Sequence, residues 1–339
     1  MTDAAESKAT DWVRILAAYR EPNAGRSLFE LGVTFLPFVA IFALAWWILP
    51  YSWIVAIALA VLNAGFLVRL FVIQHDCGHG SYFRNRVLSD WVGRAIGVLT
   101  LTPYDVWRRT HAIHHAGAGN LDKRGVGDVV TLTVAEYRAL PLIGRLRYRL
   151  YRHPITLFLI GPLYIFVIQN RLPIGLMRAG RQYWTSAMGT NAMLAAILGA
   201  VVWFGGWEML VLVVLPTVLV AASVGVWLFF VQHQFEETHW DRGGDWQLHD
   251  AALNGSSNYV LPPVLRWFSG NIGIHHVHHL YARIPFYRLP EVLRDHAVLA
   301  NSQRLTLMES FACARLHLWD EAGRRLLSFA EARKLRAVA

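Results

Sequence analysis

The residues of this sequence best suited to chemistry are histidines. The chain has 15 of them, and most lie in three short clusters with H-x-x-x-H or H-x-x-H-H spacing. Positions three or four apart on a helix share one face, so each cluster presents its imidazoles in one direction. One such pair is weak evidence, whereas three clusters together predict a metal site. The clusters are His75 and His79; His111, His114 and His115; and His275, His278 and His279.

The number and type of these side chains predict two metal ions. Imidazole nitrogen suits iron, zinc, copper and nickel, whereas magnesium and calcium prefer oxygen ligands. Eight or nine histidines are too many for one ion and fit two ions with four or five ligands each. The ninth candidate is His233, at the end of a long hydrophobic run.

Four hydrophobic runs must position these histidines. The sequence is 55% hydrophobic and 16% charged, with a mean hydropathy of +0.34, a composition typical of membrane proteins. Each run is long enough to cross a hydrocarbon core of about 30 Å. We therefore predict an all-α integral membrane protein with four transmembrane helices in two hairpins, capped by a helical cytosolic domain that carries the histidines. The runs are 31–49, 53–74, 184–206 and 209–233.

The positive charges predict how these helices are oriented. Of the 32 lysine and arginine residues, only Arg69 lies within a run, and the short connections inside the two hairpins carry none. By the positive-inside rule, both termini and the middle segment are cytoplasmic. We expect a single domain over 1–339, with cytosolic segments 75–183 and 234–339. The net charge of +9 then reflects topology, and we expect no nucleic-acid partner.

Several weaker signals complete this organisation. The stretches 91–107 and 155–169 are interrupted or short, so we expect interfacial or re-entrant helices on the cytoplasmic face. The first 28 residues are polar and amphipathic, which predicts that no cleavable signal peptide precedes the first run. Cys77 and Cys313 are too few for a disulfide framework, a zinc finger or an iron–sulfur cluster.

Two redox-active iron ions at a membrane surface favour dioxygen chemistry on a lipid-soluble substrate. Longer segments of the sequence support this interpretation through a resemblance to a known family. The clusters resemble the three histidine boxes of the membrane-bound fatty acid desaturase superfamily, which also contains hydroxylases and ketolases. The resemblance covers about residues 25 to 330 and is closest to bacterial acyl-lipid desaturases of the Bacillus Δ5 type. Among the strings that carry it are NLDKRGVGDV (120–129), VWLFFVQHQFEETHW (226–240) and WFSGNIGIHHVHHL (267–280).

This resemblance implies a di-iron centre and assigns its ligands residue by residue. His233 is favoured over His239, which stands where the branch usually has an aromatic residue. Gly78 and Gly80 replace bulkier residues common in that branch and are expected to line the approach of the acyl chain to the metals. No catalytic residue beyond the metal ligands is implied. The nine implied ligands are His75, His79, His111, His114, His115, His233, His275, His278 and His279.

The neighbours of these ligands have less specific expected roles. His276 is expected to point away from the metals, and His153, His249, His296 and His317 are expected at surface or satisfied polar positions. Asn271 could orient a ligand or cap a helix. A metal-bound imidazole usually donates its other N–H to an acid or a carbonyl. The acidic candidates are Asp76, Asp105, Asp128, Asp241 and Glu236.

The expected partners are a membrane lipid and an electron donor. The sequence has no His-Pro-Gly-Gly haem motif and no G-x-G-x-x-G motif, so electrons must come from a separate protein of the ferredoxin or flavodoxin type. A basic stretch either contacts anionic headgroups, at about 1 kcal/mol for each arginine, or docks this donor. The stretch consists of Arg145, Arg147, Arg149 and Arg152.

The function predicted is desaturation of an acyl chain. Two ferrous ions, O₂ and two external electrons would convert two neighbouring methylenes into a cis double bond in the inner membrane of a bacterium. Two alternatives remain open at this point. A hydroxylase or ketolase of the same superfamily would insert oxygen instead. A divalent-metal transporter would place ionisable groups inside its spans, where this sequence has almost none.

Overall fold

The first long hairpin positions the first histidine cluster. The computed structural model describes residues 9–335, in which α1 (Ala9–Leu16) precedes α2 (Ala24–Ile48) and α3 (Trp53–His79). The α2 helix begins before the predicted residue 31, because the Asn23 side chain accepts a hydrogen bond from Arg26 N at 2.9 Å and caps it. The chain ends, which we expected to be cytoplasmic, lie outside the described residues.

Two shorter helices follow where an interrupted stretch was predicted. They are α4 (Arg86–Leu99) and α5 (Tyr104–His115), separated at Pro103. A Cβ atom at Gly93 would lie 2.3 Å from Tyr104 Cε2. The glycine therefore allows the two helices to pack closely.

The stretch around 155–169 forms the second half of a bent pair of helical segments. After β1 (Leu132–Thr133) and α6 (Val134–Ala139) comes α7 (Leu142–Tyr151). A continuous helical segment then begins, and its axis makes an angle of 57° with that of α7. This segment consists of the π-helix Thr156–Ile160, α8 (Gly161–Leu163), the π-helix Tyr164–Ile168 and the 3₁₀ turn Gln169–Arg171.

The second long hairpin turns at a glycine. It contains α9 (Arg181–Met209), the π-helix Leu210–Val214 and α10 (Leu215–His233), and Gly206 interrupts α9 with φ 70° and ψ 176°. Ser186 Oγ accepts a hydrogen bond from Asp105 N of α5 at 3.1 Å. At the other end, His233 Nε2 lies 3.1 Å from His114 Nε2, also on α5. A straight helix of 53 residues would be about 80 Å long, so the chain must fold back at Gly206.

Short elements complete the described chain. One sheet has the order β1-β4-β5, in which β4 (Leu318–Asp320) is parallel to β1 and antiparallel to β5 (Arg325–Leu327). In a second sheet, β2 (Asn258–Val260) pairs in parallel with β3 (Arg304–Thr306). The mostly helical prediction is confirmed, but the all-α description is wrong in detail, because strands of two or three residues leave no alternating pattern in a sequence. The elements after α10 are α11 (Leu248–Asn254), β2 (Asn258–Val260), α12 (Pro263–Phe268), α13 (His275–Leu280), α14 (Leu289–Asp295), α15 (Ala297–Asn301), β3 (Arg304–Thr306), α16 (Leu307–Cys313), β4 (Leu318–Asp320), β5 (Arg325–Leu327) and α17 (Phe329–Lys334).

The long helices have the length and composition needed to cross a membrane. Within residues 9–335, three helical runs qualify, namely Ala24–Ile48, Trp53–His79 and Arg181–His233, and the bent pair is a fourth candidate. Large apolar side chains cover their outer surfaces, such as Trp203, which is 84% exposed. Such a surface is rare on a soluble monomer and fits contact with lipid.

The one charge within the hydrophobic runs is paired. Arg69 of α3 donates to the carboxylate of Glu30 on α2 and to the carbonyl of Trp267, and it stacks on the Trp267 ring. The side chains of Arg69 and Glu30 are only 2% and 3% exposed. This ion pair therefore joins the two helices of the first hairpin, and the Trp267 contacts attach them to α12, at a place where an unpaired charge would be costly.

Replacing Arg69 with methionine is expected to destabilise the protein strongly. The change leaves the Glu30 carboxylate buried without its cation, at a cost of about 3–5 kcal/mol. Thermal unfolding of the purified protein in detergent measures this loss. The double variant Arg69→Met with Glu30→Gln is expected to recover most of it. A double variant no more stable than the single one would contradict the prediction.

Candidate metal centre

Four helices deliver the predicted histidines to one place. The α3 helix ends with His75 and His79, and Gly80, at φ 69°, terminates it in the left-handed conformation that favours glycine. The α5 helix ends with the second cluster, and α13 is built almost entirely from the third. His233 is the last residue of α10. Helix ends, rather than loops, thus carry all nine side chains.

One group of histidines draws on three of these helices. Its five candidate ligand atoms all lie within 4.8 Å of one another. Neighbouring Nε2 atoms are 3.1 to 3.3 Å apart, so the five rings point toward a common centre. The group consists of His75, His79, His111, His115 and His278.

A second group lies directly beside the first. Its four candidate ligand atoms again lie within 4.8 Å of one another, and the Nε2 atom of His233 is 3.1 Å from those of both His114 and His275. The rings of His115 and His279, one from each group, stack at 4.1 Å. The group consists of His114, His233, His275 and His279.

The donor atoms in each group fit a metal ion better than they fit each other. A neutral Nε2 atom makes one ordinary hydrogen bond, either as donor or as acceptor, yet the Nε2 atom of His111 lies 3.1 Å from those of both His79 and His115. With metal–nitrogen distances of about 2.0–2.1 Å, ligands on opposite sides of an ion would be about 4.2 Å apart, within the 4.8 Å spread.

Burial keeps these rings in the form that binds metal. Desolvation, with a smaller contribution from neighbouring imidazoles, lowers the pKa of six of the histidines well below the usual value, so the rings are neutral at pH 7. A neutral imidazole keeps a lone pair for a metal, whereas a protonated ring has none. The six are His111, His114, His115, His275, His278 and His279.

One ligand candidate has a hydrogen-bond partner for its second ring nitrogen, and another has an acid near that nitrogen without a hydrogen bond to it. His233 Nδ1 lies 3.2 Å from the carbonyl of Gly255. Donation to that oxygen leaves Nε2 free to face the second group. His75 Nδ1 lies 3.5 Å from Asp76 Oδ1, and Asp76 Oδ2 accepts a hydrogen bond from Phe286 N at 2.7 Å.

The other acidic candidates serve elsewhere. Asp105 pairs with Arg94, and Asp241 pairs with His239 and Arg324. Glu236 is exposed. Asp128 accepts from Gly125 N and lines a small cavity beside His114 and His233. Among these acids in the described chain, Asp76 is therefore the one that adjoins a ligand nitrogen.

The remaining predicted positions lie outside both groups. His239 contacts Asp241 at 2.7 Å, and His276 turns away to contact the Leu299 carbonyl at 2.9 Å. His317 is stacked on Phe329. Asn271 neither caps a helix nor faces a histidine, because its amide donates to the Phe286 carbonyl.

Comparison with known protein families identifies the family to which the chain belongs. Residues 51–310 match the family model described as Fatty acid desaturase. The chain belongs to the fatty acid desaturase family. The resemblance seen in the histidine boxes is thereby confirmed, and this desaturase is an oxidoreductase and a membrane protein.

Individual relatives agree with the family match. A fatty acid desaturase of Bacillus subtilis (strain 168) is 42% identical over 314 residues, which are 93% of this chain and 89% of that protein. Two proteins named sn-1 acyl-lipid omega-3 desaturase (ferredoxin), from Nostoc sp. (strain 36) and Synechocystis sp. (strain ATCC 27184 / PCC 6803 / Kazusa), are 28% and 29% identical, each over 79% of this chain and 74% of the relative. These relatives favour desaturation over hydroxylation, ketone formation or metal transport.

Arg152 of the desaturase has a different role from the one predicted. It is fully buried, and its guanidinium donates to Gln234 Oε1 at 3.0 Å and to Thr131 Oγ1 at 3.1 Å. The expectation that it contacts headgroups or a donor is therefore wrong. Gln234 follows His233 directly, so Arg152 holds the end of α10 in place. The sequence of a basic stretch does not show which of its arginines is buried in the folded protein.

Trp107 is a site residue that the sequence analysis missed. Its indole stacks on His111, with ring centres 4.7 Å apart, and lies 5.7 Å from His75. A Cβ atom at Gly78 would lie 2.7 Å from Trp107 Cζ3. Trp107 covers Gly78, and Arg86 lies against Gly80, so these glycines do not line an open approach. The spacing of Trp107 and His111 by one helical turn was the available signal.

Replacing Gly78 with alanine is expected to lower desaturase activity about 10-fold to 100-fold, because the new methyl group displaces Trp107 and with it the His111 ring. The measurement is desaturated lipid formed per bound iron. Adding Trp107→Phe to the same chain is expected to restore part of the activity. Gly189→Ala is the matched control, since Gly189 is a helical glycine with open space around it. Equal activities for the two alanine variants would contradict the prediction.

Proposed function

We propose that this desaturase introduces a cis double bond into an acyl chain of a membrane lipid at a centre of two ferrous ions. The observation that carries the proposal is the pair of adjacent histidine groups, with five and four converging nitrogen atoms. When bound, the two ions supply the oxidising chemistry by which O₂ and two electrons remove two hydrogen atoms from neighbouring methylenes. All-nitrogen ligation suits iron, and the nine histidines predicted as ligands are proposed to hold the ions.

In this reaction the chain's own residues bind the methylenes of the substrate and orient the histidine rings. Phe229 lies 5.0 Å from the His114 ring and 5.4 Å from His233, so the second group has an apolar neighbour against which methylenes can pack. Trp107 fixes the His111 ring in the first group. His114, His233 and His275 of the second group are buried, which limits access of water to their nitrogens and protects a reactive centre from side reactions.

The proposed topology has four spans, 31–49, 53–74, 184–206 and 209–233, with both termini and the histidines on the cytoplasmic side of a bacterial inner membrane. The turn at Gly206 divides the long apolar run into two spans. The α3 helix has 27 residues and is about 40 Å long, which exceeds a hydrocarbon core of about 30 Å. Its histidine end can therefore project beyond the lipid, within one domain covering 1–339.

The proposed donor is a ferredoxin or flavodoxin-type protein, and the proposed substrate is an acyl chain carried by a lipid. The names of the Nostoc and Synechocystis relatives include both acyl-lipid and ferredoxin. The same partners are proposed for this chain.

Expression in a bacterial host without desaturases tests this function. Mass spectrometry that locates double bonds is expected to find new cis double bonds in membrane lipids, dependent on O₂ and on a supplied ferredoxin. The control is the His111→Ala variant, which is expected to leave the lipids saturated. Hydroxylated chains would select an oxygenase instead. Unchanged lipids with an iron-loaded protein and a working donor would overturn the proposal.

A further inference from the structure

A second cavity lies at the start of α2, away from the residues that the mechanism uses. Its walls come from the segment before α2, the loop after α3 and the chain entering α14. The first large apolar side chains exposed on α2, Leu28 and Phe29, follow within one turn and are 60% and 57% exposed. Under the proposed topology, on which this inference rests, the cavity therefore opens at the cytoplasmic surface of the bilayer.

The cavity walls carry charges of both signs. Three arginines and two glutamates line it, so its walls hold one positive charge in excess. The Tyr287 ring lies beside them, with the Arg26 guanidinium 5.9 Å from the ring centre. The charged lining residues are Arg26, Arg84, Arg288, Glu21 and Glu291.

Existing contacts fix two of the guanidinium groups while leaving donors available. Arg288 Nη1 donates to the Tyr19 carbonyl at 3.0 Å, and its Nε donates to Glu291 at 3.0 Å. Arg26 Nε donates to the buried Glu30 at 2.7 Å. Within residues 9–335, Arg288 Nη2 and Arg26 Nη1 have no hydrogen-bond acceptor.

Arg84 is the most accessible of the three. Its side chain is 76% exposed, and its Nε atom lies 3.3 Å from Glu21 Oε2. Guanidinium groups that are held in place and retain free N–H donors bind phosphate oxygens well.

We propose that this cavity binds the headgroup of a phospholipid that carries both a phosphodiester and an ammonium group. The arginines bind the phosphate, and Glu21 and Glu291 bind the ammonium group. The two glutamates beside the arginines favour a zwitterionic headgroup, because a purely anionic headgroup has no positive group to pair with them. The acyl chains of such a lipid lie along the exposed apolar face of α2 at Leu28 and Phe29.

Native mass spectrometry of the full-length protein released from nanodiscs tests this site. The probes are phosphatidylethanolamine and phosphatidylglycerol. Arg84→Gln is expected to reduce retention of both lipids about fivefold, the effect of one interfacial charge. Arg294→Gln is the matched control, because Arg294 is 72% exposed, has a similar partner in Asp295 at 3.2 Å and does not line the cavity. Equal retention by the two variants would overturn the proposal.

A second variant separates the two halves of the headgroup. Glu291→Gln is expected to lower the retention of phosphatidylethanolamine relative to phosphatidylglycerol, since it removes a partner of the ammonium group. An unchanged ratio would overturn the zwitterionic site. Displacement of lipid by an equal concentration of inorganic phosphate would show a simple anion site and also overturn it. Retention does not require turnover, so retained lipid without any double-bond formation would count against the proposed function alone.

Discussion

Replacing His233 with alanine is expected to remove at least one of the two proposed iron ions and to lower desaturase activity more than about 100-fold. Its Nε2 atom lies 3.1 Å from those of both His114 and His275, so it is central among the four donors of its group. Loss of an outer partner of a ligand already costs about 10-fold to 100-fold in metal affinity or activity, and loss of the ligand itself costs more. Iron per chain and lipid product measure the two effects.

His239→Ala is the matched control for this experiment. His239 also follows the fourth hydrophobic run, but its ring faces Asp241 and Arg324. We expect this variant to keep both ions and nearly full activity. Loss of iron from His239→Ala with retention by His233→Ala would show that the wrong histidine had been assigned.

Replacing Asp76 with asparagine is expected to weaken iron binding about 10-fold to 100-fold. Phe286 N donates to Asp76 Oδ2 at 2.7 Å, and this donor would orient the new amide so that its oxygen faces Phe286. The amide NH₂ would then face His75 Nδ1, which lies 3.5 Å from Asp76 Oδ1. His75 would have to accept at Nδ1 and carry its proton on Nε2, which is the wrong tautomer for the metal.

Competition with a chelator measures this change in affinity. Asp105→Asn is the control, because Asp105 is a partly buried acid that pairs with Arg94 rather than with a histidine. We expect the control to bind iron normally. Equal affinities for Asp76→Asn and the unchanged protein would mean that Asp76 does not set the tautomer of His75.

The sequence predicted the parts of the fold that repeat a simple pattern. Long apolar runs and clustered histidines are strong local signals, because lipid excludes charge and because helical spacing places imidazoles on one face. The sequence could not show that Gly206, rather than the connection between the predicted runs 184–206 and 209–233, turns the second hairpin. Several adjacent residues in this region are compatible with a turn. Packing of the two helices decides which glycine adopts positive φ.

Other parts depend on contacts between distant segments. Arg152 is buried because Gln234 and Thr131 accept its hydrogen bonds, and Gln234 lies far from it in the chain. The short strands exist because separate segments pair. The division of the nine histidines into groups of five and four also depends on contacts between distant segments, because it is determined by how α3, α5, α10 and α13 meet.

The second and third histidine boxes are each divided between the two groups. His114 belongs to one group while His111 and His115 belong to the other, and His278 is likewise separated from His275 and His279. If each group holds one ion as proposed, a single helical turn of α5 would set the separation between the two ions. Occupation of either position would preorganise the other, so we expect loading to be cooperative, with few chains carrying one ion.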